Sequence, residues 1–259
     1  MMTGMAKTYG FIGTGEITAA IVRGLNRADP PPVFLSPRNH RIGRELAEEF
    51  GTVRVCASNQ EVLDNAEVIV LAVRPPITRE VLAELTFRPG HVVISAIAGI
   101  PLDDLRAWVA PAGRTVRSIP LPQAAEGESL TALYPYESAA AELYGRVGGI
   151  VVPETEEALT AISAASATFA AHLDYLSTIA DWLTGHGLSD EAAHSYLAHV
   201  FGQLGRSLLR HEDALRTMTE KHTTPGGTNE QLKAELRENG VPDTVRAALD
   251  SVLARLTTS

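Results

Sequence analysis

The sequence contains a single cysteine, Cys56. No disulfide can form within the chain, which excludes a secreted disulfide scaffold. A zinc ribbon or an iron–sulfur cluster held by one chain is excluded with it. Aromatic residues make up only 5 %, too few for the stacking platforms that single-stranded nucleic acids require. Lysine and arginine number 22 against 31 acidic residues, a formal net charge of -9. Repulsion from a phosphate backbone argues against non-specific nucleic-acid binding. The longest apolar run, Val68 to Val73, falls far short of the roughly 18–20 residues that span a bilayer. Met1 to Lys7 lacks the apolar core of a secretory signal. The expectation is a soluble, cytoplasmic protein with no nucleic-acid or membrane partner.

The composition that remains is globular: 45 % hydrophobic and 20 % charged over 259 residues, enough for one large domain or two modest ones. The first half alternates short Val/Ile-rich runs with helical patterns. Strands are expected at Thr8–Ile12, Val33–Leu35, Val53–Val55, Val68–Ala72, Val92–Ala96 and Thr115–Ile119. Several are apolar without alternation, as strands covered on both faces are. Helices are expected at Glu16–Arg27 and Arg41–Phe50, and Ser58 with Glu61 reads as a capping box. Pro76 and Pro101 suit first helical turns. Such alternation implies an α/β fold built on a parallel sheet with right-handed crossovers.

Strand signals end near Pro153. The expected division is therefore a dinucleotide-binding domain at 1–153 and an all-helical domain at 154–259. Gly185-His186-Gly187 and Pro225-Gly226-Gly227 break the helical half, and Pro242 opens its last helix. Ala192–Leu209 is apolar or small on nearly every side, which predicts a buried helix. In so small a domain a second subunit would supply part of that burial, so a homodimer is expected.

The sharpest local signal is Gly10-Phe11-Ile12-Gly13-Thr14-Gly15-Glu16-Ile17-Thr18. It falls at the first strand–helix turn, where a dinucleotide fingerprint must stand. Gly13 permits the tight turn, and Gly15 lets a pyrophosphate approach the backbone at the helix N-terminus. Thr18 replaces the small third residue of the fingerprint. The second strand ends in Ser36-Pro37-Arg38-Asn39-His40-Arg41, with no carboxylate for a ribose 2′-OH. Arginine there can bind a 2′-phosphate, so NADP is expected over NAD.

With these motifs in view, the chain resembles the pyrroline-5-carboxylate reductase family. The matching segments are Gly10–Gly15, Leu71-Ala72-Val73-Arg74-Pro75, Ser95-Ala96-Ile97-Ala98-Gly99-Ile100, Val116-Arg117-Ser118-Ile119-Pro120 and Thr224-Pro225-Gly226-Gly227-Thr228. The resemblance implies a Rossmann domain followed by an all-α dimerisation domain. It also implies hydride transfer from NADPH to the C=N carbon of a cyclic imine acid such as 1-pyrroline-5-carboxylate, giving L-proline. Cofactor contacts are then expected at Gly13, Thr14, Gly15, Glu16, Ile17, Ser36, Arg38, Asn59, Ala72, Val73, Arg74 and Ala98. The substrate would meet Thr223, Thr224, Gly226, Gly227, Pro120 and Leu121, with Thr228 and Asn229 beside the imine nitrogen. Whether that loop serves its own subunit or a partner is left open.

Two positions depart from the family pattern: Leu121 stands where the family has Asn, and Asn229 where it has a second Thr. They keep two alternatives open. One is a related NADP-dependent oxidoreductase acting on another imine, a carbonyl or a deazaflavin; the other is a non-catalytic NADP-binding sensor. His172 is a further candidate proton donor, with surface packing as the plainer role. His194 and His199 lack a ligating spacing, and no metal is expected. Cys56 reads as a small buried hydrophobe, and Trp108 and Trp182 as packing residues.

Overall fold

A computed structural model of the chain describes residues 7–210 and 214–258; Met1–Ala6 of the leader reading lie outside these. The described residues form two compact units. One runs through Ser163 and takes in the end of the chain from Leu253, and the other is Ala164–Val252.

The first unit is built on one sheet. Its strands are β1 (Tyr9–Ile12), β2 (Val33–Leu35), β3 (Val53–Val55), β4 (Val68–Leu71), β5 (Val92–Ser95), β6 (Arg114–Ile119), β7 (Ser129–Tyr134) and β8 (Gly148–Val151). Their order is β3-β2-β1-β4-β5-β6-β7-β8. All neighbours pair in parallel except β6 and β7. The first six strands thus have the Rossmann order, whose crevice lies beyond the carboxyl ends of β1 and β4.

The expected strands are all present within a residue at either end, and two were missed. In β7 the polar Ser129 and Thr131 point inward while Leu130 is exposed, the reverse of a readable strand pattern. β8 opens on two glycines, the first at φ 141°, and carries almost no strand propensity.

The helices of this unit are α1 (Glu16–Leu25), α2 (His40–Glu49), α3 (Asn59–Asn65), α4 (Thr78–Ala83), α5 (Leu102–Trp108) and α6 (Ser138–Gly145). One core joins Val68, Val70, Val92 and Ile94 to α1, α2 and α6. The other joins Ile69, Leu71 and Val93 to α3, α4 and α5. Alternate residues of β4 and β5 therefore enter opposite cores, which is why these runs are apolar throughout. Near its end α1 closes on the turn Pro122–Glu126: a Cβ on Gly24 would stand 2.0 Å from the Ala124 carbonyl oxygen. Pro101 stands just before α5 as its cap, and Pro76 lies in a short 3-10 turn, Pro75–Ile77.

Helix α7 (Glu156–Ser166) begins in the first unit, which extends through Ser163. The second unit holds α8 (Thr168–Gly185), α9 (Asp190–Arg210), α10 (Leu215–Lys221), α11 (Thr228–Glu238) and most of α12 (Val241–Thr257). Helices α8 and α9 pack together around the glycine break. The buried helix expected at Ala192–Leu209 is corrected here. In the single chain α9 buries only Ala193 and Leu197, and Tyr196, Leu204 and Leu209 are exposed. Trp182, expected to pack, is 60 % exposed and stacks on His186. Helices α8, α11 and α12 bury no residue at all. One copy of so short a bundle has too little surface to cover these faces.

Candidate cofactor and substrate site

The glycine turn between β1 and α1 is held by side chains. Gly13 has φ +102°, and a Cβ there would stand 2.5 Å from the Ala72 carbonyl oxygen. Its N–H donates to Ser36 Oγ at 2.9 Å. Thr14 Oγ1 donates to the Ser36 carbonyl at 2.9 Å, and Thr18 Oγ1 donates to the Gly13 carbonyl at 2.6 Å. The departure at Thr18 is thus a latch: a buried hydroxyl closes the turn where a small residue would only make room. The hydroxyls of Thr14 and Ser36 are committed to the turn itself.

Gly15 differs from Gly13. It is the N-cap of α1, no side chain caps the helix, and no atom lies within 4 Å of where its Cβ would be. The space beside the Gly15 Cα, at the uncapped N-terminus of α1, is therefore open. That vacancy fits the pyrophosphate of a nicotinamide dinucleotide, which needs free N–H donors and no Cβ in its way.

At the tip of β2 two arginines have separate fates. Arg41 pairs with Glu45 at 2.9 Å and Glu16 at 3.7 Å. Arg38 is exposed and has no ion-pair partner among the described residues. Asn39 caps α2 through the Ile42 N–H. The capping box at Ser58 is half formed. Ser58 Oγ accepts the Glu61 N–H at 3.1 Å. Glu61 instead gives one oxygen to the Ala57 N–H and the other to Arg54, both at 2.7 Å. Asn59 opens α3 and is half-buried. Ala72 follows β4, its N–H held by the Ile12 carbonyl at 2.8 Å; Val73 is half-buried and Arg74 exposed.

Beyond the ends of β5 and β6 lies a cavity of about 180 Å³. Three residues named from the sequence, Ile17, Ala98 and Pro120, line it. Leu121 is not in its wall; it caps the Pro122–Glu126 turn, its N–H held by Ser129 Oγ at 3.1 Å. The other lining residues were given no role in advance, among them Arg117, Ser118, Leu159 and Ser163. Ser118 Oγ donates to the Ser95 carbonyl at 3.1 Å and meets the Tyr144 hydroxyl at 2.8 Å. Full burial pushes the Tyr144 phenol far above its ordinary range, against the pull of Ser118. Tyr144 therefore stays protonated, and with the Ser118 hydrogen given to Ser95 the Tyr144 O–H donates to Ser118 Oγ. A charged residue inside a β-run, as at Arg117, was the available signal for this wall.

The Pro225 loop is described within its own unit. Gly226 has φ +74° and Gly227 caps α11. The Gly226 N–H donates to Glu230 Oε2 at 2.7 Å, and the Gly227 N–H to the Thr224 carbonyl at 2.9 Å. Asn229 Nδ2 donates to the His222 carbonyl at 3.0 Å, and Lys233 Nζ to Thr223 Oγ1 at 3.1 Å. Thr224, Thr228 and Asn229 are exposed. His172 is exposed on α8, packed edge-on to Phe201. Among the described residues, no group of three or more His, Cys, Asp or Glu side chains could hold a metal ion. No described helix is long and apolar enough to cross a membrane.

Comparison with known proteins covers both units. Residues 8–99 match the family described as NADP oxidoreductase coenzyme F420-dependent, and residues 154–258 match pyrroline-5-carboxylate reductase dimerisation. The pyrroline-5-carboxylate reductase of Glycine max is 29 % identical, over 96 % of this chain and 94 % of that protein. That of Pseudomonas aeruginosa is 26 % identical, over 95 % and 94 %. Among solved structures, 1-pyrroline-5-carboxylate reductase from Streptococcus pyogenes superposes with a TM-score of 0.85 at 22 % identity, covering 98 % of this chain and 99 % of that one. Pyrroline carboxylate reductase from Plasmodium falciparum, solved with NADP bound, gives 0.82 at 19 % identity, with 98 % and 99 % covered.

Proposed function

The chain belongs to the pyrroline-5-carboxylate reductase family, and from that premise we propose that it reduces 1-pyrroline-5-carboxylate to L-proline at the expense of NADPH. The observation that carries this reading is the convergence of Ile17, Ala98 and Pro120 on one cavity at the carboxyl end of the sheet, the end at which the glycine turn follows β1.

The nicotinamide cofactor, when bound, supplies the hydride for the imine carbon. The chain's own residues bind, orient and exclude water. Gly15 leaves the α1 N-terminus open to the pyrophosphate, and the Gly13–Ser36–Thr18 hydrogen bonds hold that opening in shape. Arg38, free of any acidic partner among the described residues, would take the 2′-phosphate and favour NADPH over NADH. Asn59, Ala72, Val73 and Arg74 would flank the dinucleotide. The apolar parts of Ile17, Ala98 and Pro120 would hold the nicotinamide ring and keep water from it. Thr223, Thr224, Gly226 and Gly227 would receive the substrate carboxylate. Thr228 or Asn229 would hydrogen-bond the imine nitrogen. A cyclic imine can enter already protonated, so the protein need not supply the proton itself.

The chain forms homo-oligomers through its dimerisation region. A homodimer, joined through the apolar faces of α8 and α9, is the assembly we propose. Cytoplasmic residence is part of the same proposal, since NADPH and the free Cys56 both suit a reducing compartment.

The test is the loss of reduced-nicotinamide absorbance with 1-pyrroline-5-carboxylate, with an NADH control. Saturable turnover that favours NADPH is expected. Tight NADPH binding without turnover would overturn the substrate assignment.

A further inference from the structure

Arg117 lies inside β6 and is only 6 % exposed. Its Nη1 donates to Glu156 Oε1 at 2.6 Å and to Thr160 Oγ1 at 3.3 Å. The same Glu156 oxygen accepts the Leu102 backbone N–H at 2.7 Å. One carboxylate oxygen therefore ties the end of β6, the start of α5 and the first turn of α7. Thr160 Oγ1 donates back to the Glu156 carbonyl at 3.0 Å, which leaves its lone pairs for Arg117. Arg117 Nε, by contrast, is buried with no hydrogen-bond partner.

This is an expensive way to hold a helix. An unpartnered buried donor is costly, and apolar residues of the same volume are often as stable as a buried ion pair. What the pair adds is direction. Helix α7 brings Leu159 and Ser163 into the wall of the cavity that Ala98 and Pro120 also line, and Arg117 itself forms part of that wall.

We propose that Arg117 is a positioning residue: acting through Glu156 and Thr160, it fixes where α7 stands and so sets the width of the nicotinamide cavity on its Leu159–Ser163 side. The proposal rests on reading that cavity as the nicotinamide end of the cofactor site.

The experiment compares Arg117→Lys, Thr160→Val and the double variant Arg117→Met/Glu156→Met with the wild type. Five quantities are read: melting temperature, NADPH affinity, emission of the bound reduced nicotinamide, and kcat and KM with 1-pyrroline-5-carboxylate. A lysine ammonium cannot span both Glu156 and Thr160 in the guanidinium's geometry. Arg117→Lys should keep NADPH affinity within about threefold, because the affinity comes chiefly from the pyrophosphate end. Its bound-cofactor emission should move toward that of free cofactor, and kcat should fall about tenfold, the cost of a small misplacement. Thr160→Val should show a weaker version of both changes. The double variant, which leaves the Leu102 N–H without its acceptor, should still recover part of the melting temperature lost in Arg117→Lys but neither emission nor kcat.

Emission and kcat that return with the melting temperature in the double variant would overturn the proposal, since packing alone would then suffice. Wild-type emission and kcat in Arg117→Lys would overturn it too. If the wild type binds NADPH with altered emission but does not turn over 1-pyrroline-5-carboxylate, the substrate reading fails while the emission series still decides the role of Arg117. A wild type that does not bind NADPH overturns both.

Discussion

Ser36 Oγ accepts the Gly13 backbone N–H at 2.9 Å, joining the tip of β2 to the turn that ends β1. Ser36 is buried, so removing its hydroxyl takes away the acceptor that the Gly13 N–H has in the fold. Ser36→Ala should cost about 1–3 kcal/mol. Thermal melts should register it as a drop of roughly 2–4 °C per kcal/mol, and NADPH affinity should weaken with it. An unchanged melting temperature would mean that Gly13 finds another acceptor.

The two glycines of the turn should fail in opposite ways. Gly13→Ala forces a Cβ toward the Ala72 carbonyl at a positive φ, a strain of about 1–2 kcal/mol or more, and should lower the melting temperature. The Cβ of Gly15→Val would have no atom within 4 Å, so the variant should melt close to the wild type, while NADPH affinity drops on the order of a hundredfold. Calorimetry and cofactor titration on the two variants separate a folding glycine from a binding one.

Arg38→Glu should weaken NADPH by about 10–100-fold, the worth of a charge-assisted contact to phosphate. NADH should change by no more than about threefold, since it brings no 2′-phosphate to the site. Arg41, already shared between Glu16 and Glu45, should matter less. Equal losses for the two cofactors would refute the assignment of Arg38.

Glu230 places a carboxylate on the Gly226 N–H at 2.7 Å, at a helix start where a substrate carboxylate is proposed to bind. Its charge must oppose that anion. Glu230→Gln keeps an acceptor for the loop and removes the charge. KM for 1-pyrroline-5-carboxylate should fall about two- to fivefold, with kcat unchanged. A KM that rises would show the charge to be needed for the loop's shape.

His91 gives the fold an acid-sensitive point. Its Nδ1 accepts the Arg88 backbone N–H at 3.1 Å, and its Nε2 lies 3.0 Å from Arg88 Nε and 3.1 Å from the Leu63 carbonyl oxygen. Burial chiefly, and the Arg88 charge next, hold its pKa below the ordinary 6.5, against opposing pulls from Leu63 and Asp64. In that window the unfolded chain binds the proton and the folded chain does not. The stability is complete above 6.5 and is lost as the pH falls from there through the folded-state pKa. Melting followed between about pH 5 and 8 should show this slope, and His91→Gln should flatten it.

Legibility from sequence followed the physics of each segment. Strands packed on both faces, such as Val68–Leu71, announce themselves because every position is apolar. Ser129–Tyr134 does not, because its inward residues are polar and pair with one another, as Ser129 Oγ and Thr131 Oγ1 do at 3.1 Å. The glycine turn was readable because its chemistry is local. The wall formed by Arg117 was marked only by a charge inside a β-run; its pairing was hidden, because Glu156 stands 39 residues further along the chain. The apolar character of Ala192–Leu209 was legible as a demand for burial; where that burial comes from is a property of more than one chain.

Gly24 lies at the other end of α1 from the glycine turn, with no room for even a methyl group beneath it. In a saturation library selected for reductase activity, this codon should therefore tolerate as little variation as those for Gly13 and Gly15. Any side chain there would lift the helix off the Ala124 carbonyl and tilt the anion-facing end with it. Mutational intolerance alone would then mark Gly24 as part of the active site, when what it controls is the aim of a helix.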